Sequence, residues 1–246
     1  MADVKSLKVK IFADGADLQG MKAMYANPLI KGFTTNPTLM KGAGVTDYVE
    51  FARKVLAAIP DRPVSFEVFA DEFDQMEAQA LEIASWGRTV NVKIPVTNTK
   101  GVFAGPLITR LAKRGVVLNV TAIFTPDQIR RVGEALSPDV PAIVSVFAGR
   151  IADSGIDPVP LMREAAQFLK GSRPKAELLW ASPRELLNVL QADEVGCGII
   201  TVTNDIIKKL PLIGKDQLAY SLETVKMFYN DASAAGFTIG VQAAAE

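Results

Sequence analysis

The sequence predicts an α/β protein: a single closed (β/α)₈ barrel of the TIM type with extra C-terminal helices. Three observations lead there. Short apolar runs suited to strands occur eight times between residues 9 and 203. Amphipathic stretches of helical period lie between them. Several of the strands carry polar side chains on one face. An open parallel sheet covered by helices on both sides tolerates such residues poorly, whereas a barrel lumen accepts them. One domain is expected over residues 1–246, with the barrel at about 8–210 and a last helix at about 215–235. No linker or repeat interrupts it, and only the AAAE tail is of low complexity.

The elements follow in order. VKIFAD (9–14) is the first strand and ends in Asp14; GFTTN (32–36) is the second, with Asn36 before Pro37. VSFEVFA (64–70) and TVNVKIPV (89–96) are the third and fourth, VVLNVTAIF (116–124) and AIVSVFAG (142–149) the fifth and sixth. AELLWAS (176–182) and GCGIITVT (196–203) complete the set. DYVEFARKVLAAI (47–59) and FDQMEAQALEIASW (73–86) are the clearest helices. Thr125-Pro126-Asp127-Gln128 and Ser182-Pro183-Arg184-Glu185 both have the capping-box form with Pro at the first helical position. Asp157-Pro158 opens another helix, and Gly115 and Gly171 sit where helices should stop. DIIKKL (205–210) and DQLAYSLETVKMFYNDAS (216–233) are the appended helices. Leu218, Leu222, Val225, Phe228 and Tyr229 on the last one need a surface, the barrel's own or that of a second copy. A homo-oligomer is therefore one of two readings.

Composition narrows the chemistry. Half of the 246 residues, 49%, are hydrophobic, enough for a large core. Lys plus Arg and Asp plus Glu are 27 each, which argues against an extended nucleic-acid or anionic-membrane surface but allows a local anion pocket. No apolar run approaches the roughly 18 residues of a membrane span, and charges are scattered through MADVKSLKVKIFADG, where a signal peptide needs an apolar core. Cys197 is the single cysteine, so no intrachain disulfide forms and a reducing cytoplasm is the natural compartment. The chain has no histidine. Ser-His-Asp and Cys-His catalysis and His-ligated metals are excluded, so no metal or cofactor is expected. Acid–base work must fall to carboxylates, lysine, tyrosine or water. Neither GxxxxGK[ST] nor GxGxxG occurs.

In such a barrel the active site lies at the C-terminal ends of the strands. Asp14 stands at the first end, Thr34 and Asn36 at the second, Glu67 at the third and Lys93 at the fourth. Asn119 and Thr121 follow in the fifth, Ser145 and then Arg150 at the sixth, Ser182 and Arg184 after the seventh. Lys93 breaks the alternation of VNVKIPV, in which Val90, Val92, Ile94 and Val96 face the helices and Asn91 and Lys93 face inward. A lysine among apolar groups is desolvated, and lowering its pKa from about 10.4 to about 7–8 corresponds to roughly 4 kcal/mol. The neutral amine can then form a Schiff base with a carbonyl, and the iminium lets a C–C bond break without a cofactor. Asp14 and Glu67 suit the proton transfers. Arg150 and Arg184, with Ser182 at a helix N-terminus, suit a phosphate. The residues read as a Schiff-base aldol enzyme acting on a phosphorylated sugar.

GFTTNPTL, VNVKIPVT, SVFAGRIADSG and ASPREL resemble the motifs of the transaldolase family in the family's order, and the likeness runs from about residue 9 to about 235. The chain is similar to the compact members, which include fructose-6-phosphate aldolases. The resemblance implies that Lys93 forms the Schiff base, that Asp14 exchanges a proton with the C4 hydroxyl, and that Glu67 with Thr121 activates the water. It implies that Thr34, Asn36, Asn119 and Ser145 bind the dihydroxyacetone moiety and that Arg150, Ser182 and Arg184 hold the phosphate. The aldolase subgroup has Gln at the place of Glu67 and Tyr at the place of Phe147, so both positions imply transfer rather than release of dihydroxyacetone. The implied donors are sedoheptulose 7-phosphate or fructose 6-phosphate, in the non-oxidative pentose phosphate pathway. Pro183 departs from the family, which often has an aromatic residue there.

Overall fold

The computed structural model describes residues 4–240. The AAAE tail lies outside the described residues. Eight strands alternate with helices: β1 (Lys10–Asp14), α1 (Leu18–Tyr25), β2 (Ile30–Thr34), α2 (Pro37–Gly42), α3 (Tyr48–Ala58), β3 (Val64–Glu67), α4 (Phe73–Ser85), β4 (Val90–Pro95) and α5 (Gly105–Lys113). They continue as β5 (Leu118–Ile123), α6 (Pro126–Ala135), β6 (Ala142–Val146), α7 (Ala148–Asp153), α8 (Val159–Ser172), β7 (Ala176–Trp180), α9 (Leu187–Val195), β8 (Ile199–Val202), α10 (Asn204–Ile207) and α11 (Gln217–Ala234). Each strand pairs in parallel with the next, and β8 closes on β1, so the expected (β/α)₈ barrel is the fold.

The strand faces divide as period 2 requires. Val92, Ile94, Leu118, Val120, Val144, Trp180 and Ile200 are fully buried in the layer between sheet and helices. The other face fills the lumen. Phe12, Ile143, Leu179, Ala181 and Ile199 form a separate apolar cluster there, and Ser65, Asn91, Lys93, Asn119 and Thr121 are the buried polar residues of β3 to β5. A Cβ on Gly32 would lie 2.5–2.7 Å from three atoms of the Phe12 ring. The glycine is what lets that ring occupy the lumen.

Helix signals held where the chain supplied both partners. Thr125 and Gln128 form the reciprocal capping box at α6. The second expected box does not form. Ser182 adopts φ +57, α9 starts only at Leu187, and the Asn188 side chain accepts the N–H groups of Arg184 and Glu185 instead. Gly171 lacks the left-handed conformation that stops a helix, and α8 runs past it to Ser172. The 205–210 segment is a single turn, α10, followed by a 3₁₀ turn at Leu210–Leu212 that accommodates Pro211. None of the described helices is long and apolar enough to cross a membrane. The last helix, α11, buries none of its residues: Leu218 is 81% exposed and Tyr229 73%.

Candidate active site

The C-terminal ends of the strands surround a cavity of about 390 Å³. Eleven of the twelve residues expected there line it: Asp14, Thr34, Asn36, Glu67, Lys93, Asn119, Thr121, Ser145, Phe147, Arg150 and Ser182. Arg184 is absent from the lining.

Lys93 is 8% exposed, yet its surroundings are not apolar as the strand pattern suggests. Its Nζ lies 3.1 Å from Glu67 Oε2 and donates to the Thr35 carbonyl at 3.1 Å. Glu67 is the register partner of Lys93 across β3 and β4, which is why the two meet. Asp14, at the end of β1, accepts from Thr34 Oγ1 at 2.7 Å. Burial raises the Asp14 carboxyl above its ordinary range and Glu67 adds to this, while the Thr34 hydroxyl and the Lys93 charge oppose them. Asp14 thus lies within electrostatic reach of both members of the ion pair.

A second network lies deeper. Asn119 donates to Ser65 Oγ at 3.0 Å and accepts from Ser145 Oγ at 2.6 Å, linking β3, β5 and β6 in the lumen. Thr121 Oγ1 is buried without a hydrogen-bond partner in the protein. A buried polar atom facing a cavity is suited to water or substrate. It sits at an irregularity in β5, where the register shifts between Val120 and Ile123 and Ala122 takes φ +60. Asn36 uses its Oδ1 to cap α2 through the Leu39 N–H.

The far wall is cationic. Arg150 on α7 lies 5.2 Å from the centroid of the Phe147 ring. Gly149 presses α7 onto the segment that follows β7: its N–H donates to the Ala181 carbonyl, and an added Cβ would lie 1.5 Å from the Ser182 carbonyl oxygen. Ser182 and Arg150 therefore face the cavity from two touching segments. Arg184 is turned to the rim, where Nε and Nη2 donate to the Asp153 carboxylate and lower its pKa.

Sequence reasoning missed Thr201 of β8, which meets Thr34 Oγ1 at 2.5 Å and lines the cavity. The signal was there, because Ile199 and Thr201 share the inward face of IITV. The Thr35 carbonyl had no signal, since any residue supplies one. Among the described residues, no three of His, Cys, Asp and Glu converge as metal ligands. Burial pushes the Cys197 thiol up to about 12, which leaves it unreactive. A second depression of about 450 Å³ opens at the opposite end of the barrel beside α8, but its Glu177 is already paired with Lys10.

Comparison with known proteins gives the family and the fold. A family model described as Transaldolase/Fructose-6-phosphate aldolase matches residues 11–245. A "Probable transaldolase" of Dehalococcoides mccartyi is 33% identical over 202 residues, covering 82% of this chain and 90% of that protein. One from Methanococcus maripaludis is 34% identical, covering 82% and 89%. Among solved structures, 2,3-dimethylmalate lyase superposes with a TM-score of 0.53 at 11% identity, over 99% of this chain and 91% of the other. KGPDC from Streptococcus mutans does so with a TM-score of 0.52 at 10% identity, over 80% and 88%. These two share the fold.

Proposed function

The chain belongs to the transaldolase/fructose-6-phosphate aldolase family, and from that premise we propose that it transfers a dihydroxyacetone unit from a ketose phosphate to an aldose phosphate through a Schiff base on Lys93. The observation that carries this is a buried lysine, ion-paired to one carboxylate and facing a second, at the mouth of a cavity with a cationic far wall.

In this reading Glu67 takes a proton from the Lys93 ammonium, and the freed amine adds to the ketone carbon. Water leaves the carbinolamine with a proton supplied from the Glu67 side, and the iminium forms. Asp14 removes the C4 hydroxyl proton as the C3–C4 bond breaks, and those electrons move into the iminium to give an enamine. The first aldehyde departs. An acceptor aldehyde then re-forms the bond, Asp14 returns the proton, and water held by Glu67 and Thr121 releases the new ketose. Thr34, Asn36, Asn119 and Ser145 are suited to the hydroxyls of the retained three-carbon unit. Arg150 and Ser182 would take the phosphate, and Arg184 would join them from the rim. No cofactor is needed. Sedoheptulose 7-phosphate and fructose 6-phosphate are the donors, in the cytoplasmic non-oxidative pentose phosphate pathway. Nucleic acids and membranes have no part in it. The exposed apolar face of α11 supports assembly into a homo-oligomer.

The alternative is an aldolase that releases free dihydroxyacetone. Glu67 and the hydroxyl-free Phe147 favour transfer. Borohydride added with fructose 6-phosphate should leave a reduced adduct on the Lys93 peptide, and Lys93→Ala should abolish both adduct and turnover. Turnover should require erythrose 4-phosphate. Release of dihydroxyacetone without an acceptor would mean the aldolase, and an unmodified Lys93 peptide would mean a barrel that only binds sugar phosphates.

A further inference from the structure

Strand β3 loses one neighbour before it reaches Glu67. β2 pairs with it only at Phe33↔Val64 and Thr34↔Ser65, and the last link is the Thr35 N–H on the Ser65 carbonyl. Pro37 then begins α2 and takes the chain away. On the other side β3 stays paired, with the Val68 N–H on the Lys93 carbonyl. The two backbone groups of Glu67 thus face the side where the sheet has ended. A backbone N–H and C=O without partners at a half-buried site carry a free-energy cost and leave the segment free to shift.

The hydroxyl of Tyr48, in the first turn of α3, occupies this place. It accepts the Glu67 N–H at 2.8 Å and donates to the Glu67 carbonyl at 3.0 Å. The ring is held by aromatic neighbours: Phe66 at 6.2 Å, Phe69 at 4.5 Å and Trp86 at 5.6 Å between centroids. Burial raises the phenol far above its ordinary value, so it keeps the proton that it donates. With both contacts made to backbone, the hydroxyl is committed to Glu67's main chain rather than to chemistry in the cavity.

We propose that Tyr48 is a positioning residue: its hydroxyl replaces the missing strand and fixes the end of β3 so that the Glu67 carboxylate stays against Lys93. This rests on the reading of Glu67 as the group that handles water at the Schiff base. Small displacements of a catalytic group lower rate more than affinity when the substrate is gripped elsewhere.

The test is a set of variants assayed with fructose 6-phosphate and erythrose 4-phosphate, with borohydride trapping in parallel. Tyr48→Phe removes one oxygen and keeps the aromatic packing. It should lower kcat about tenfold with KM within about twofold. Trp86→Phe disturbs the same cluster and removes the indole hydrogen bond to Glu82 but leaves the two between Tyr48 and Glu67, and should lower the melting temperature while keeping kcat. Because Tyr48 acts through Glu67, adding Tyr48→Phe to Glu67→Gln should change kcat by less than about twofold. Wild-type kcat in Tyr48→Phe, multiplicative effects in the double variant, or an equal kcat loss in Trp86→Phe would each overturn the proposal. If Glu67→Gln itself matches the wild type, or the wild type gives no Lys93 adduct, the functional reading fails first and the role of Tyr48 falls with it. Normal behaviour of those two together with a silent Tyr48→Phe removes the Tyr48 proposal alone.

Discussion

Asp14 and Lys93 differ in how well a single residue's setting can be read from its neighbours in sequence. The alternation of VNVKIPV correctly turned Lys93 inward, but its apolar flanks belong to the other face of the strand. The groups that surround the ammonium, Glu67 and the Thr35 carbonyl, come from β3 and from the end of β2. Asp14 shows the opposite balance, with burial outweighing its Thr34 hydrogen bond and holding its carboxyl above the unfolded value of 3.8. A group that binds its proton more tightly when folded costs stability as pH rises above the unfolded value, in full once pH exceeds the folded one. Asp14→Asn should therefore raise the melting temperature at pH 7, and the gain should vanish as pH falls towards 4. Calorimetry across that range checks this, and a gain independent of pH would point to packing instead of charge. The same variant should lower transfer by roughly a hundredfold or more, as expected for loss of a general acid–base group.

Among the elements, α7 and the segment after β7 act as one unit. Two sequence signals of the same form, at Thr125 and Ser182, had different outcomes for a local reason. Thr125 is free to adopt the extended backbone of an N-cap. Ser182 lies beneath Gly149, whose contact with its carbonyl leaves it in the left-handed region. The capping pattern is blind to such a contact because Gly149 is 33 positions away. Gly149→Ala must push the two segments apart by an ångström or more, since its Cβ would sit 1.5 Å from the Ser182 oxygen. Its KM for fructose 6-phosphate should rise tenfold or more by about the effect of a 1 Å misplacement. Trapping of unphosphorylated dihydroxyacetone on Lys93 should change much less. Steady-state kinetics with the phosphorylated donor, set beside the trapping yield, checks the pair, and equal losses in both would show that the damage is not confined to the phosphate end.

At the scale of the whole molecule, α11 is the helix that buries none of its residues. Leu218, Leu222, Val225 and Tyr229 recur at spacings of four, three and four, which gives one apolar face. All four are more than half exposed in the single chain. A face of this kind is suited to burial against a second copy. The double variant Leu222→Glu and Phe228→Glu should sediment more slowly than the wild type at the same concentration while keeping its circular dichroism. A wild type that sediments as a monomer would rule out the oligomer. The sequence by itself determined the barrel and brought eleven of the twelve expected residues to its mouth. These follow from periodicities of 2 and 3.6 and from strand order, which are local properties that a closed parallel barrel converts directly into position. Only the tertiary structure decided what each of those residues touches. It paired Lys93 with Glu67, turned Arg184 to Asp153, brought Thr201 to Thr34 and placed Tyr48 where β2 ends. Such contacts join residues that are distant in the chain, and no local pattern encodes the register, the close backbone approach or the early end of a neighbouring strand that creates them.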